Sequence, residues 1–326
     1  MKVLVTGATG FVGSQVAAAL VRRGDQVRVL RRKSSTLVAL EGLDLEHCYG
    51  DILEPDAVAA AAHGCEVVFH VAALSSYWRA KAADVYRVNV EGTRIVMDAC
   101  LHAGVRRVVH TSSCAAVGVR RDGRPSDETQ PLNPHEERFA YAHSKYLAEQ
   151  EVRKAVRLGL PAVIVNPAVV IGPGDHNLIS GSMIVEMAKH SLPAAPPGGV
   201  CMADVDAVSF GHLAAAEKGR VGERYILGGE NLTYREITQI IASVVACKTP
   251  RWRIPSWIIP PAAAALDAAN HFVRRPMISG DQLRLSAHNA FFDSGKAVAE
   301  LGYPLLPFRN AAERAYRWYL DHGYLS

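Results

Sequence analysis

The start of the chain combines a short apolar run, three glycines and an alanine-rich segment. Residues 2–5 (KVLV) have the composition of a buried parallel strand. Gly7, Gly10 and Gly13 follow, and an amphipathic stretch then continues to Arg23. A strand, a glycine turn and a helix in this order present a helix N-terminus to a pyrophosphate, whereas glycines alone can be ordinary turn residues. This order predicts a dinucleotide site at the beginning of the chain.

Each glycine of the turn has a separate structural reason. Gly7 permits the tight turn, Gly10 lets a ligand approach the backbone, and Gly13 lets the helix pack closely on the strand. The spacing is GxxGxxG rather than the more familiar GxGxxG. The same turn carries three further residues that we assign to the predicted cofactor site: Thr9, Phe11 and Val12.

Predicted strands and helices alternate as far as residue 170. Further strands are predicted at 26–30, 47–51, 65–72, 107–111 and 162–166, and helices at 56–63, 84–103 and 141–158. This alternation predicts an α/β fold with a doubly wound parallel sheet of the Rossmann type. We expect residues 1–170 to form the dinucleotide-binding domain, with a return segment near 203–228. Residues 171–202 and 229–326 are expected to form a smaller, discontinuous C-terminal lobe that binds substrate.

A tyrosine and a lysine four residues apart, Tyr141 and Lys145, lie in the helix predicted at 141–158. Side chains at this spacing share one face of a helix. A phenol has a pKa of about 10, and a fixed ammonium within about 4–6 Å lowers it toward the range of proton exchange with an alcohol or carbonyl. Ser113, at the end of a predicted strand, can hold the same oxygen. The pattern also occurs by chance on surface helices, so its meaning depends on the dinucleotide site.

Composition excludes several classes of protein. The chain has 326 residues and a formal net charge of +4, which is too small to indicate a nucleic-acid partner. Its six cysteines are scattered without a CxxC pair, so we expect reduced thiols and a cytoplasmic location. The most apolar stretch, from Ile254 to Leu266, is interrupted by prolines and too short to span a membrane. His135 begins a HEERF stretch without a second histidine, so no metal site is predicted.

Several further motifs occur in a characteristic order. They are TGATGFVG at 6–13, GDI at 50–52, HVAA at 70–73, NVEGT at 89–93, TSS at 111–113, the YxxxK pair, and NP at 166–167 with GP at 172–173. Together they resemble the extended short-chain dehydrogenase/reductase family, also called the NAD-dependent epimerase/dehydratase family. ERYILGG at 223–229 and LGY at 301–303 are similar to its dihydroflavonol-reductase-like and hopanoid-associated sugar epimerase branch. Gly118 and Ala207 depart from residues common in that branch.

The resemblance implies roles for individual residues. Tyr141 is implied as proton donor and acceptor, Lys145 as the group that lowers its pKa and holds the nicotinamide ribose, and Ser113 as the group that orients substrate. Asn89 is implied to lie beneath the cofactor. The implied cofactor contacts are Asp51, Ile52, Ala72, Ala73, Thr111, Lys145, Pro167 and Val170. The substrate candidates are Ser75, Tyr77, Trp78, Asn166, His176 and Met183.

The second predicted strand runs into Arg31 and Arg32 without a carboxylate. Because NAD-preferring relatives place an acidic side chain there, we expect NADP(H) to be preferred, with NAD(H) possible. The predicted function is an NADP(H)-dependent oxidoreductase that interconverts a ketone or aldehyde and an alcohol. The alternatives are a nucleotide-sugar epimerase or dehydratase and a cofactor-sensing protein without turnover.

The expected partners are a small-molecule substrate and a second copy of the chain. The resemblance implies a homodimer built on the helices at 84–104 and 141–159. Apolar residues that can support it, or can equally face the sheet, are Val85, Val88, Ile95, Tyr146 and Val152.

Overall fold

The computed structural model describes residues 1–75, 80–120, 122–190, 192, 194–270 and 280–325. The strands are β1 (Lys2–Thr6), β2 (Gln26–Arg31), β3 (Glu46–Tyr49), β4 (Val67–His70), β5 (Arg107–Thr111), β6 (Ala162–Pro167), β7 (Val169–Ile171), β8 (Ala194–Ala195), β9 (Gly199–Asp204), β10 (Arg224–Leu227), β11 (Glu230–Thr233), β12 (Trp252–Arg253) and β13 (Asn289–Ala290). The helices are α1 (Phe11–Arg22), α2 (Pro55–Ala62), α3 (Ala82–Tyr86), α4 (Gly92–Ala103), α5 (Pro134–Glu137), α6 (Ala140–Arg157), α7 (Ser182–Lys189), α8 (Val205–Lys218), α9 (Tyr234–Val245), α10 (Ile259–Asn270), α11 (Gly280–Leu285), α12 (Gly295–Leu301) and α13 (Phe308–Asp321).

Seven parallel strands form the main sheet, in the order β10-β6-β5-β4-β1-β2-β3. Helices cover both faces of this sheet, so its central strands are almost continuously apolar. The strand order reverses between β1 and β4, and in such sheets a ligand binds in the crevice outside the carboxyl ends at this point. The predicted doubly wound parallel α/β fold is confirmed.

Two apolar clusters hold the helices against the sheet. One packs α1 and α8 on one face around residues such as Leu20 and Val208. The other packs α2, α4 and α6 on the opposite face around residues such as Met97 and Val152. β10 is therefore a strand of the main sheet and α8 packs on one of its faces, although both follow strands of the second lobe in the chain.

The second lobe has its own sheet, in which β9 pairs with β7, β11 and β13. Its core lies between this sheet and α7, α9 and α13, around fully buried side chains such as Ile184, Phe308 and Tyr319. β7, which follows β6 after a single residue, was not predicted as a separate strand. β13 ends at Ala290, and Phe292 shortly after it forms an isolated bridge with Ser126.

A π-helical turn interrupts the long helix predicted at 84–103. The helix begins at Ala82, runs as a π turn from Arg87 to Glu91, and continues as α4. π turns are rare and occur frequently at functional sites. Apolar periodicity does not reveal such a turn, because the residues on both sides still follow a helical pattern.

The helices predicted to form a homodimer turn most of their apolar residues inward. Three of the expected interface residues are buried in the core: Val85, Ile95 and Val152. Val88 lines a cleft described below. The outer side of α4 instead carries an exposed ion pair between Arg94 and Asp98. The homodimer stays a prediction, because most of the apolar residues named for its interface face inward.

The most apolar stretch of sequence forms a short helical turn, Ser256–Ile258, and the first part of α10. Across the described residues, every helix is too short or too polar to cross a bilayer.

Candidate active site

A cleft of about 460 Å³ lies at the carboxyl ends of the main-sheet strands. Every residue predicted to contact the cofactor lines it: Gly7, Thr9, Gly10, Phe11, Val12, Gly13, Arg31, Arg32, Asp51, Ile52, Ala72, Ala73, Thr111, Lys145, Pro167 and Val170. Ser75, Ser113 and Tyr141 line the same cleft. The glycine turn and the predicted proton-transfer residues thus belong to one site.

The glycine turn brings the backbone of α1 close to the cleft. Gly7 has a φ of +73°, and a Cβ there would lie 2.5 Å from the amide nitrogen of Ala72. A Cβ on Gly13 would overlap the carbonyl of Gly7. Helix α1 begins after Gly10 without a side-chain cap and without an acidic residue in its first turn. Its N-terminal N–H groups and dipole therefore suit a pyrophosphate.

The Tyr141 hydroxyl lies in the same cleft, where it is hydrogen-bonded to the hydroxyls of Ser75 and Ser113. Burial raises the pKa of Tyr141 above its usual value, while the two hydrogen bonds act to lower it. The phenol is therefore protonated at neutral pH. This differs from the expectation that Lys145 lowers the tyrosine pKa, since burial is the dominant influence.

The Lys145 side chain contacts the backbone of β5. Its Nζ donates a 2.7 Å hydrogen bond to the carbonyl of Thr111, at the end of β5. Burial lowers the pKa of Lys145 to about 8, and the charge of Glu149 acts in the opposite direction. The ammonium is thus largely retained at neutral pH in a nearly dry position at the floor of the cleft.

Asn89, on the π turn, connects the loop after β4 to α6. Its Oδ1 accepts a hydrogen bond from the Leu74 backbone N–H at 2.7 Å, and its Nδ2 donates to the Ser144 hydroxyl at 3.0 Å. Ser144 in turn donates to the carbonyl of Tyr141. This buried amide sets Ser75, the next residue in the loop, beside Tyr141. The sequence indicated a place beneath the cofactor for Asn89 but not this connection.

Glu149 is fully buried on α6, two turns after Tyr141. Its carboxylate accepts hydrogen bonds from the Ser112 hydroxyl at 2.6 Å and from Asn166 Nδ2 at 2.7 Å. Arg224 of β10 completes the group with an ion pair at 3.2 Å. The sequence analysis missed Glu149, although its i+8 spacing from Tyr141 places it on the same face of the helix.

The side chain of Asn166, a residue predicted to contact substrate, lies among buried polar groups. Its side chain is fully buried and does not line the cleft. Besides Glu149, Nδ2 contacts the Ser113 carbonyl at 2.9 Å. Asn166 therefore holds the backbone of the serine loop in place.

The other substrate candidates divide into three groups. Ser75 lines the cleft. Met183 is partly buried against the core of the second lobe, and His176 packs edge-to-face on Trp318 with ring centres 4.7 Å apart; neither is among the described residues that line the cleft. Tyr77 and Trp78 lie outside the described residues. The second lobe contributes residues that were not predicted: Asn177, Ile179 and Ser180.

Arg31 lies where the adenosine end of the cleft is expected, and its guanidinium is held on β3. It stacks on the Tyr49 ring at 4.6 Å and donates to the Tyr49 hydroxyl and to His47 Nδ1. A further bond reaches the carbonyl of Arg32. Three of the five N–H donors of the guanidinium are thus used and two remain. The exposed side chain of Arg32 forms a 4.0 Å ion pair with Asp51 and no other ion pair with the described residues.

We predict that Glu149→Ala lowers the free energy of unfolding by about 3–5 kcal/mol, because Arg224 would keep a buried charge without its partner. Denaturant unfolding monitored by circular dichroism measures the loss. Glu151→Ala is the matched control, since Glu151 lies on the same helix and pairs with the exposed Lys154; it should cost at most about 1 kcal/mol. Equal losses for both variants would contradict the importance of the buried pair.

Comparison with known proteins places the chain in a family. The model of the NAD dependent epimerase/dehydratase family matches residues 3–199. A Synechocystis sp. protein provisionally named dihydroflavonol 4-reductase is 36% identical over 98% of this chain and 95% of its own length. Sterol demethylase protein B of Methylococcus capsulatus is also 36% identical, over 99% of each chain. The protein in the crystal structure of gox2253 is 39% identical in sequence to this chain, and the two structures superpose with a TM-score of 0.88 over 99% of each chain. The chain is an NAD(P)-dependent oxidoreductase that belongs to the NAD-dependent epimerase/dehydratase family.

Proposed function

We propose that this protein transfers hydride between NADP(H) and a small carbonyl or alcohol substrate, with Tyr141 as the proton donor and acceptor. The observation that carries the proposal is the buried, protonated Tyr141 hydroxyl between Ser75 and Ser113, in the same cleft as the glycine turn. The reductase name of one relative agrees with this chemistry. A small molecule is the expected partner, and the free thiols of all six cysteines, each of them described, support a reducing, cytoplasmic location.

The glycine turn and the N-terminus of α1 fit the pyrophosphate of a nicotinamide dinucleotide, which supplies or accepts the hydride when bound. In the direction of reduction, the Tyr141 phenol donates its proton to the oxygen that was the carbonyl oxygen of the substrate. The Ser113 hydroxyl donates a hydrogen bond to the same oxygen and orients it. In the direction of oxidation, the phenolate takes the proton of the alcohol. Lys145 holds a positive charge at the floor of the site.

Tyr141→Phe should lower kcat for carbonyl reduction by about 10²–10⁴-fold, the usual contribution of a positioned acid. Cofactor affinity should be nearly unchanged, because only the hydroxyl is lost. The control is Tyr146→Phe, which removes a hydroxyl from a half-buried tyrosine on the same helix and should leave turnover intact. Turnover and cofactor binding are measured on both variants; unchanged turnover in Tyr141→Phe would remove this residue from the mechanism.

The pH profile should show the titration of Lys145 and not that of Tyr141. Because the pKa of Lys145 is lowered to about 8, kcat/KM for reduction should be constant below that pH and fall above it as the ammonium loses its proton. The raised pKa of Tyr141 keeps the donor protonated throughout this range. The fall near pH 8 should be absent from the residual activity of Lys145→Met. A wild-type profile that stays constant well beyond pH 8 would contradict the assignment.

The preference for NADP(H) rests on the charges at the end of β2. Arg31 and Arg32 line the cleft there, and Asp51 is the one carboxylate among its described lining residues. A 2′-phosphate carries about two negative charges and suits guanidinium donors, whereas a 2′-hydroxyl of NAD is usually bound by an acidic residue. The two free N–H donors of Arg31 and the exposed guanidinium of Arg32 support phosphate binding. The other interpretation is an ordinary solvated basic loop.

The wild-type protein should bind NADPH about ten- to a hundredfold more tightly than NADH, and Arg31→Asp should abolish or invert this ratio. Titration of each cofactor by fluorescence measures the ratio. Lys33→Asp is the matched control. This substitution makes the same charge change nearby, but Lys33 is not among the residues lining the cleft. Equal affinity of the wild-type protein for both cofactors would defeat the proposal.

An epimerase would use the same serine, tyrosine and lysine to oxidise and re-reduce one carbon, and the family description includes this activity. Nucleotide released by denaturing the purified protein separates the two activities. Tightly held NAD would favour the epimerase, whereas an empty site with NADPH-dependent turnover supports the reductase. A cofactor-sensing protein without turnover would not need the Ser75 and Ser113 hydroxyls that bond to Tyr141.

A further inference from the structure

An apolar and cationic surface of the second lobe plays no part in the cleft. We call residues 248–269, which comprise β12, the turn at Ser256–Ile258 and most of α10, the tryptophan surface. Trp252 and Trp257 lie here with 73% and 76% of their area exposed, and among the large apolar side chains of the described residues only Leu158 is exposed to a similar degree, at 74%. Large exposed apolar patches usually mark a binding surface.

Helix α10 extends this surface with an exposed apolar face. Ile259 and Ala263 are buried against the lobe. The exposed residues of the helix are Pro260, Pro261, Ala264, Ala265, Ala268 and Ala269. The one charged residue of the helix, Asp267, forms an ion pair with Arg284 at 2.8 Å. A helix that is apolar on both sides is normally covered on both sides, and here only one side is covered by the described part of the chain.

The charges of the tryptophan surface are all of one sign as far as Leu266. Lys248, Arg251 and Arg253 are exposed, and residues 247–266 contain no aspartate or glutamate. None of the ion pairs formed among the described residues involves these three cations. Arg251 and Arg253 are the sequence neighbours of Trp252, so exposed cationic and aromatic side chains follow one another along this short segment.

This combination identifies the occupant by its chemistry. Tryptophan rings are favoured at the depth of lipid headgroups, and arginine and lysine beside them attract anionic phosphates. Alanines and prolines on the adjoining helix face offer apolar contact without a bulky side chain. We propose that the tryptophan surface docks this protein peripherally on a bilayer that contains anionic lipid. This attachment requires no membrane-spanning helix and is independent of the reaction in the cleft.

The test is sedimentation of the full-length protein with vesicles. Binding should be strong to vesicles of phosphatidylcholine mixed with phosphatidylglycerol and weak to vesicles of phosphatidylcholine alone. Trp252→Ala with Trp257→Ala, or Arg251→Glu with Arg253→Glu, should lower the partition coefficient by about ten- to a hundredfold. Arg157→Glu with Arg317→Glu is the control for charge, because both arginines are exposed elsewhere and should leave most of the binding intact.

Two further measurements make the result specific. Brominated lipids should quench the tryptophan fluorescence of the wild-type protein, and this quenching should be lost in Trp252→Phe with Trp257→Phe. Circular dichroism and NADPH affinity should be unchanged in every variant, which excludes misfolding. Failure to bind the anionic vesicles, or binding that survives the tryptophan substitutions, would overturn the proposal. Concentration-dependent self-association that is lost with the tryptophans, without vesicle binding, would assign the surface to a second copy of the chain and would also overturn it.

Discussion

One buried carboxylate, that of Glu149, fixes the geometry on which the proton-transfer residues depend. It lies on α6 and is bonded to Ser112 after β5, to Asn166 on β6 and to Arg224 on β10. An unpaired charge in this position would be very costly, so the charge is tolerated only while all these donors are in place. The helix is thereby attached to residues on or directly after three strands of the sheet, and this attachment fixes the position of the tyrosine two turns earlier relative to the serine loop.

Burial alters the two ionisable groups of the site in opposite directions. Loss of water favours the neutral form of each, which raises the pKa of Tyr141 and lowers that of Lys145. Both shifts run in the directions opposite to those that an attraction between an ammonium and a phenolate would cause. The proton stays on the oxygen that faces the cleft, while the ammonium is held by the Thr111 carbonyl below it.

The sequence predicted the main sheet and the cofactor cleft well because both depend on local patterns. Each buried parallel strand is a short apolar run, and the glycines of the turn are required by contacts within the first strand and helix. The roles of Glu149 and Asn166 depend on partners in distant segments, which periodicity does not reveal. The same holds for the second lobe, whose sheet joins β7, β9, β11 and β13 from four separate parts of the chain. Met183 and His176 pack against residues of that lobe, and these contacts likewise join distant segments.

The π turn at Arg87–Glu91 has a consequence for how this helix can change during evolution. A π turn contains one more residue than the α-helical hydrogen-bonding pattern, so the helix before it is rotated by about 100° relative to the helix after it. Deletion of one codon here would restore a regular helix but would turn Asn89 away from Leu74 and Ser144. The extra residue and the asparagine must therefore be inherited together. In a lineage that kept the asparagine, the length of this segment would be under selection as strictly as the identity of any residue in it.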